Sequence, residues 1–128
     1  MNELELAAGL AATSNYRYAD AAGDQLFVAG QVPLDAERRL IGADDPAAQA
    51  RQCLDNLALL VAVHGFGRGD VRYLRIYVVG EHQNLIDAWS AVTDWHDRNV
   101  PPATLVGVTH LGHRGQLVEV DATVVRQS

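Results

Sequence analysis

The chain has 128 residues, a length that fits one domain with a single hydrophobic core and leaves little room for a separate cofactor-binding module. Ten basic against sixteen acidic residues give a net charge of −6, and no Lys/Arg run stands out, which disfavours nucleic acid and anionic membrane as partners. A single cysteine, Cys53, excludes an internal disulfide and a thiolate metal cluster.

The first fourteen residues carry acids where a signal peptide needs a basic segment, and no apolar run approaches the roughly 20 residues of a membrane span. A cytoplasmic location is the expectation, with one unit spanning 1–128, its ordered part from about Tyr16 to Arg126 and its first dozen residues a loose lead-in. SNYRYADAAGDQLFVAGQVPL reads as a hairpin, with Tyr16 and Tyr18 in one strand, a turn at Gly23-Asp24, and a second strand from Leu26 to Val32. Next, Asp45 is an N-cap candidate, Pro46 takes the first helical position, apolar residues recur at 50, 54, 57 and 61, and Gly65 stops an amphipathic helix. GFGRGD at 65–70 resembles a phosphate loop only superficially: it follows a helix and precedes a strand, the reverse of what a phosphate cradle needs. DVRYLRIYVV alternates as a strand, a second helix runs from about Leu85 to His96, and two strands close the chain, giving the order ββαβαββ.

Both helices fall between strands that alternate, so they cover one face of one mixed sheet in an α/β (α+β) fold. Leu74, Ile76 and Val78, with Val118, Val120, Ala122 and Val124, belong under the helices. Tyr73, Arg75 and Tyr77, with Leu117, Glu119, Asp121 and Thr123, form a half-charged second face suited to closure by other copies of the chain, with polar groups lining clefts between them.

Glu119 is the candidate catalytic residue. Apolar surroundings on a strand favour a carboxyl's protonated form and equip it to hold or activate a water as general base; the plainer role is an interface ion pair with an arginine such as Arg75. His110 and His113 have a metal-like spacing but no partner motif and read as loop histidines, and Cys53 reads as a small packing residue. No metal or organic cofactor is expected.

Three stretches taken together, LFVAGQVPLD, QARQCLDNLALLVAVHG, and PPATLVGVTHL followed by LVEVDA, resemble the Rid family of reactive intermediate deaminases, also called the YjgF family, over nearly the whole chain. The resemblance implies a chorismate-mutase-like fold, a homotrimer whose sheets form a central barrel, and three clefts between subunits. It also implies the chemistry: a tyrosine and a glycine line the cleft, matched here by Tyr16 and Gly30, and a glutamate matched by Glu119 positions the water that hydrolyses an imine. The arginine that clamps the substrate carboxylate in such deaminases has no counterpart: Ala103 stands in its place, Leu105 replaces a frequent cleft cysteine, and Ala29 replaces the serine before the glycine. A guanidinium–carboxylate contact contributes roughly 1.5–3 kcal/mol, which alanine cannot replace. Arg75, on the same face as Glu119, and Arg114 in the last loop are the substitutes on offer, although the favoured role for Arg75 is a salt bridge to Glu119 or Asp121 at the trimer interface. Trp89 falls near a position where many members carry a pocket asparagine, which implies a larger, more aromatic pocket.

The implied function is a hydrolase or deaminase acting on a small enamine or imine other than the usual amino-acid-derived ones. The alternative is a non-catalytic trimer that binds a small ligand or regulates. A ribonuclease activity of the kind ascribed to some relatives is disfavoured by the −6 charge.

Overall fold

In a computed structural model describing residues 3–13 and 15–127, the chain runs α1 (Glu3–Ala7), β1 (Ala19–Ala22), β2 (Gln25–Val28), α2 (Pro46–Val63), a 3-10 turn (Arg68–Asp70), β3 (Val71–Val79), α3 (His82–Trp95), β4 (Ala103–Val108) and β5 (Val118–Val125). Residues 1, 2, 14 and 128, which the expected unit of 1–128 includes, lie outside the described residues. The five strands form one mixed sheet in the order β1-β2-β5-β3-β4, antiparallel except for the parallel pair β3/β4 that α3 connects.

α2 forms where its punctuation directs. The Asp45 side chain accepts from the Ala48 N–H at 3.1 Å, Pro46 needs no donor of its own in the first turn, and Gly65 turns the chain out at a φ of +81°. Its apolar stripe, Ala50, Leu54, Leu57 and Val61, is buried against the inner set of β3 and β5, joined by Ala88, Ala91 and Val92 of α3. Burial alternates strictly along β5 and from Tyr73 onward in β3, so Leu74, Ile76, Val78, Val118, Val120, Ala122 and Val124 lie beneath the helices as strand parity requires. The outer face is left open. On it Phe27 is 54% and Val106 37% exposed, flanking the tyrosines and charges of β3 and β5.

Four expectations are corrected. The lead-in is ordered: residues 3–7 are helical, Leu10 and Ala11 are buried, Tyr18 Oη donates to the Ala11 carbonyl at 2.7 Å, and Glu5 meets His64 Nε2 at 2.8 Å. Tyr16 and Tyr18 precede β1 rather than lie in it, because Tyr18 is drawn inward against Leu10 and Leu60. β2 leaves the ladder after Val28, four residues before the expected Val32, and regains β5 only through the single Gln31–Val120 bridge. The second helix also starts earlier than expected, at His82.

Candidate functional site

The site is assembled by side-chain amides. Gln49 of α2 is fully buried and satisfies four backbone groups: its Nε2 donates to the Gly42 and Gly115 carbonyls at 3.1 Å each, and its Oε1 accepts from Leu117 N at 2.6 Å and Val118 N at 3.3 Å. Two turns of helix further, Asn56 Nδ2 donates to the carbonyls of Val32 and Leu34 at 2.9 and 3.0 Å. These two residues of the QARQCLDNLALLVAVHG stretch fasten the loop before β5 and the segment after Gly30 to the same helix. Between the two fastenings, Gln31 N donates to the Val120 carbonyl at 2.7 Å and Val120 N returns the bond at 3.1 Å.

That bridge brings Gly30 against Glu119. A Cβ at Gly30 would lie 2.1 Å from Glu119 Oε2 and 2.8 Å from its Cδ, so only glycine leaves room for the carboxylate where it stands. The other oxygen, Oε1, accepts from Gln116 Nε2 at 3.1 Å. Gln116 is itself buried and pinned, its Nε2 also donating to the Val118 carbonyl at 3.0 Å and its Oε1 accepting from His113 N at 3.1 Å. The sequence reading missed Gln116: its partners His113, Val118 and Glu119 all lie within three residues, but no short motif announces which way the side chain turns.

Among the described residues no cation pairs with Glu119. Arg75 pairs instead with Asp121: its Nε donates to Asp121 Oδ1, Tyr77 Oη donates to Oδ2 at 2.8 Å, and Arg75 Nη1 lies 3.4 Å from Thr123 Oγ1. Burial, followed by this hydrogen bond to Asp121, raises the Tyr77 phenol above its ordinary range. The Asp121 carboxylate is thereby paired, and Glu119 is left held by a neutral amide with a backbone glycine on its other side. Such a carboxylate can accept a proton without first breaking an ion pair. Behind the strand, Cys53 is fully buried with Sγ 3.6 Å from the Val118 carbonyl, and burial, then the Glu119 charge, push its thiol well up. It is an inert packing group.

The remaining candidates are dispersed. Ala103 and Leu105 stand opposite Leu74 and Ile76 and pack against the core, on the helix-covered face and not with Glu119. Trp89 lies on α3 and is 37% exposed; Tyr16 is 50% exposed in the segment before β1. Arg114 lines a loop cavity of about 350 Å3 with His110, His113 and Gln116. Among the described residues no group of three or more His, Cys, Asp and Glu is arranged to hold a metal ion, and no helix is long and apolar enough to cross a membrane. One chain therefore brings Gly30, Gln116 and Glu119 together, while Ala103, Leu105 and the α3 residue Trp89 lie on the helix side of the sheet.

A family model described as endoribonuclease L-PSP matches residues 7–126. A "RutC family protein" of Sulfurisphaera tokodaii is 28% identical over 105 residues, 82% of each chain. A "2-iminobutanoate/2-iminopropanoate deaminase" of Escherichia coli is 28% identical over 107 residues, again 82% of each. Among solved structures, the YjgF gene product of Escherichia coli superimposes with a TM-score of 0.78 at 26% identity, over 91% of this chain and 92% of that one. RidA from an Antarctic Psychrobacter shares the fold with a TM-score of 0.78 at 22% identity, over 90% and 91% of the two chains.

Proposed function

Since the chain belongs to the endoribonuclease L-PSP family, also known as the YjgF or Rid family, we propose that it is a Rid-type hydrolase acting on a small enamine or imine, with Glu119 as the water-holding base in a cleft completed by a neighbouring copy of the chain in a homotrimer. The observation that carries this reading is the Gly30–Glu119–Gln116 arrangement: a carboxylate fixed at one oxygen by a buried amide and given room at the other by a glycine. Family relatives named as imine deaminases, at about a quarter identity, support the reaction class.

The chemistry follows from the placement. A water held by Glu119 loses a proton to the carboxylate as its oxygen bonds to the imine carbon, giving a carbinolamine. The carboxyl passes that first proton to the imine nitrogen as the carbinolamine forms; the carboxylate then carries the hydroxyl proton to nitrogen, the O–H electron pair closes the C=O bond, the C–N bond breaks with its electron pair on nitrogen, and ammonia leaves a carbonyl product. The sum is imine plus water to carbonyl plus ammonia. An enamine enters after tautomerising to the imine.

The need for a second copy follows from the dispersal within one chain, and the open outer face with Phe27 and Val106 is the surface such a copy would cover. Substrate scope follows from Ala103 and from Arg75. The first offers no charge, and the second is occupied by Asp121, so imines made from ordinary amino acids by an oxidase are poor substrates, and uncharged or differently charged imines are better ones. Ammonia release from a panel of both kinds tests this. Robust turnover of the amino-acid imines that survives Arg75→Ala would overturn the scope. The absence of a charged clamp also favours a second reading, a trimer that binds a small ligand without turning it over; saturable binding with no ammonia from any member of the panel would select it. RNA cleavage, suggested by the family description, is disfavoured by the −6 charge.

A further inference from the structure

We propose that a cavity of about 440 Å3 between α2, the 3-10 turn and the C-terminal end of α3 is a second small-molecule site, separate from Gly30 and Glu119, that takes a small carboxylate with an apolar ring-bearing body. Its volume falls within the range of roughly 300–1,000 Å3 typical of ligand sites. None of its lining residues belongs to the Gly30–Gln116–Glu119 arrangement. Leu57, Val61, Val71 and Val100 give it apolar walls, with Trp95 as an aromatic one.

The charge complement comes from Arg68. Its guanidinium lies over the Trp95 ring, 4.1 Å from the centroid, and no carboxylate among the described residues pairs with it. Stacking fixes the plane of the guanidinium and leaves its N–H edges for a planar acceptor such as a carboxylate. Trp95 is pinned in turn, its indole N–H donating to Asp55 Oδ1 at 2.9 Å. His96 is pinned as well: Nδ1 donates to the Val92 carbonyl at 2.7 Å, which leaves Nε2 to accept. Burial lowers the His96 pKa, so near neutral pH the ring adds no second positive charge. A wall whose polar groups are already held loses little freedom when a ligand arrives. Asp97 and Asn99 complete the rim; both are exposed, as is Arg68, so water screens the charges of Asp97 and Arg68 alike. Asp97 makes an amine the rival ligand.

The test uses the full chain, 15N-labelled, titrated with 3-phenylpropanoate, 3-phenylpropan-1-ol and 3-phenylpropylamine. The Trp95 indole N–H, identified by its loss in Trp95→Phe, is expected to shift saturably with the acid, together with the Asn99 and Val100 amides, while the Gln31 and Val120 amides stay still. The alcohol should bind at least about tenfold more weakly, and Arg68→Gln should bring the acid down to the alcohol's level. The proposal is overturned if the acid shows no saturable shift, if acid and alcohol bind equally, if the amine binds more tightly than the acid, if Arg68→Gln has no effect, or if the shifts centre on Gln31 and Val120. The comparison of acid, alcohol and amine needs no variant, so it stands even if Arg68→Gln folds poorly.

Discussion

Replacing Gly30 by alanine tests the site without a known substrate. The added Cβ would sit 2.1 Å from Glu119 Oε2, and unstrained heavy-atom contacts begin at roughly 3.5 Å, so the carboxylate must withdraw by about 1.4 Å. Withdrawal stretches or breaks the 3.1 Å bond from Gln116. A hydrogen bond to a charged group contributes about 1.5–3 kcal/mol, but Glu119 is only half-buried and water replaces part of it, which leaves a cost of about 1–2 kcal/mol. For a chain of this size that corresponds to a fall of roughly 3–7 °C in Tm. The cost should vanish in a Glu119→Ala background, because the atoms the Cβ meets are then gone; there Gly30→Ala should be neutral, or stabilising by up to about 1 kcal/mol through the unfolded chain. Thermal and urea unfolding of the four proteins give the coupling directly. An equal cost of Gly30→Ala in both backgrounds would show that the glycine serves something other than the carboxylate. Where a substrate is in hand, the same displacement should lower turnover by roughly 10²-fold.

Glu119→Gln keeps the side chain's shape and an acceptor for Gln116, so it should change stability by less than about 1 kcal/mol while turnover falls roughly 10²-fold or more; a loss of about 3–5 kcal/mol, or dissociation of the assembly, would instead reveal an arginine from a neighbouring copy paired with it. Sedimentation equilibrium near neutral pH should return about three times the chain mass of 13.9 kDa, and a clean monomer would remove the proposed cleft. Burial, followed by the neighbouring Tyr16, pushes the Tyr18 pKa up to about 12 from 10.0. The folded-state value is the higher one, so the associated stability is complete below pH 10 and is lost as pH rises towards 12. Tyr18→Phe should diminish the high-pH step in an absorbance titration of tyrosinate, the remainder belonging to Tyr77, whose phenol is also raised, and an undiminished step would assign it elsewhere.

What could be read from the residues alone was whatever depends on local pattern. α2 was legible because Asp45, Pro46, the 50-54-57-61 spacing and Gly65 each act within a turn or two of where they stand. The sorting of β3 and β5 into inner and outer residues was legible because parity needs no knowledge of the partner strand. The choice between Asp121 and Glu119 as partner of Arg75 was not, since it depends on the register that sets Arg75 beside Asp121 and Tyr77 beside Glu119. The early end of β2 was hidden for a related reason: the valines at 28 and 32 bracket a segment that extends the run from Leu26, yet Gly30 lies off the ladder against a side chain far along the chain, that of Glu119. The cavity over Trp95 stayed out of view because it is made by residues distant in sequence, and Gln116 because residue pattern does not say which way a loop side chain turns, even towards partners within three residues. Trp89, Ala103 and Leu105 could be matched to cleft positions only by resemblance, and a single chain holds them away from Glu119.

The four bonds of Gln49 carry a consequence for how such a protein can change. Glutamate there would turn two donated bonds, to the carbonyls of Gly42 and Gly115, into repulsions; asparagine would fall short; an apolar residue would strand two carbonyls and two N–H groups in the core. Glu119 is under no comparable constraint, since its replacement by another side chain leaves water free to enter. The frame of this site is therefore far harder to lose than its reactivity, and a lineage can shed or retune the chemistry while the recess that once housed it persists intact.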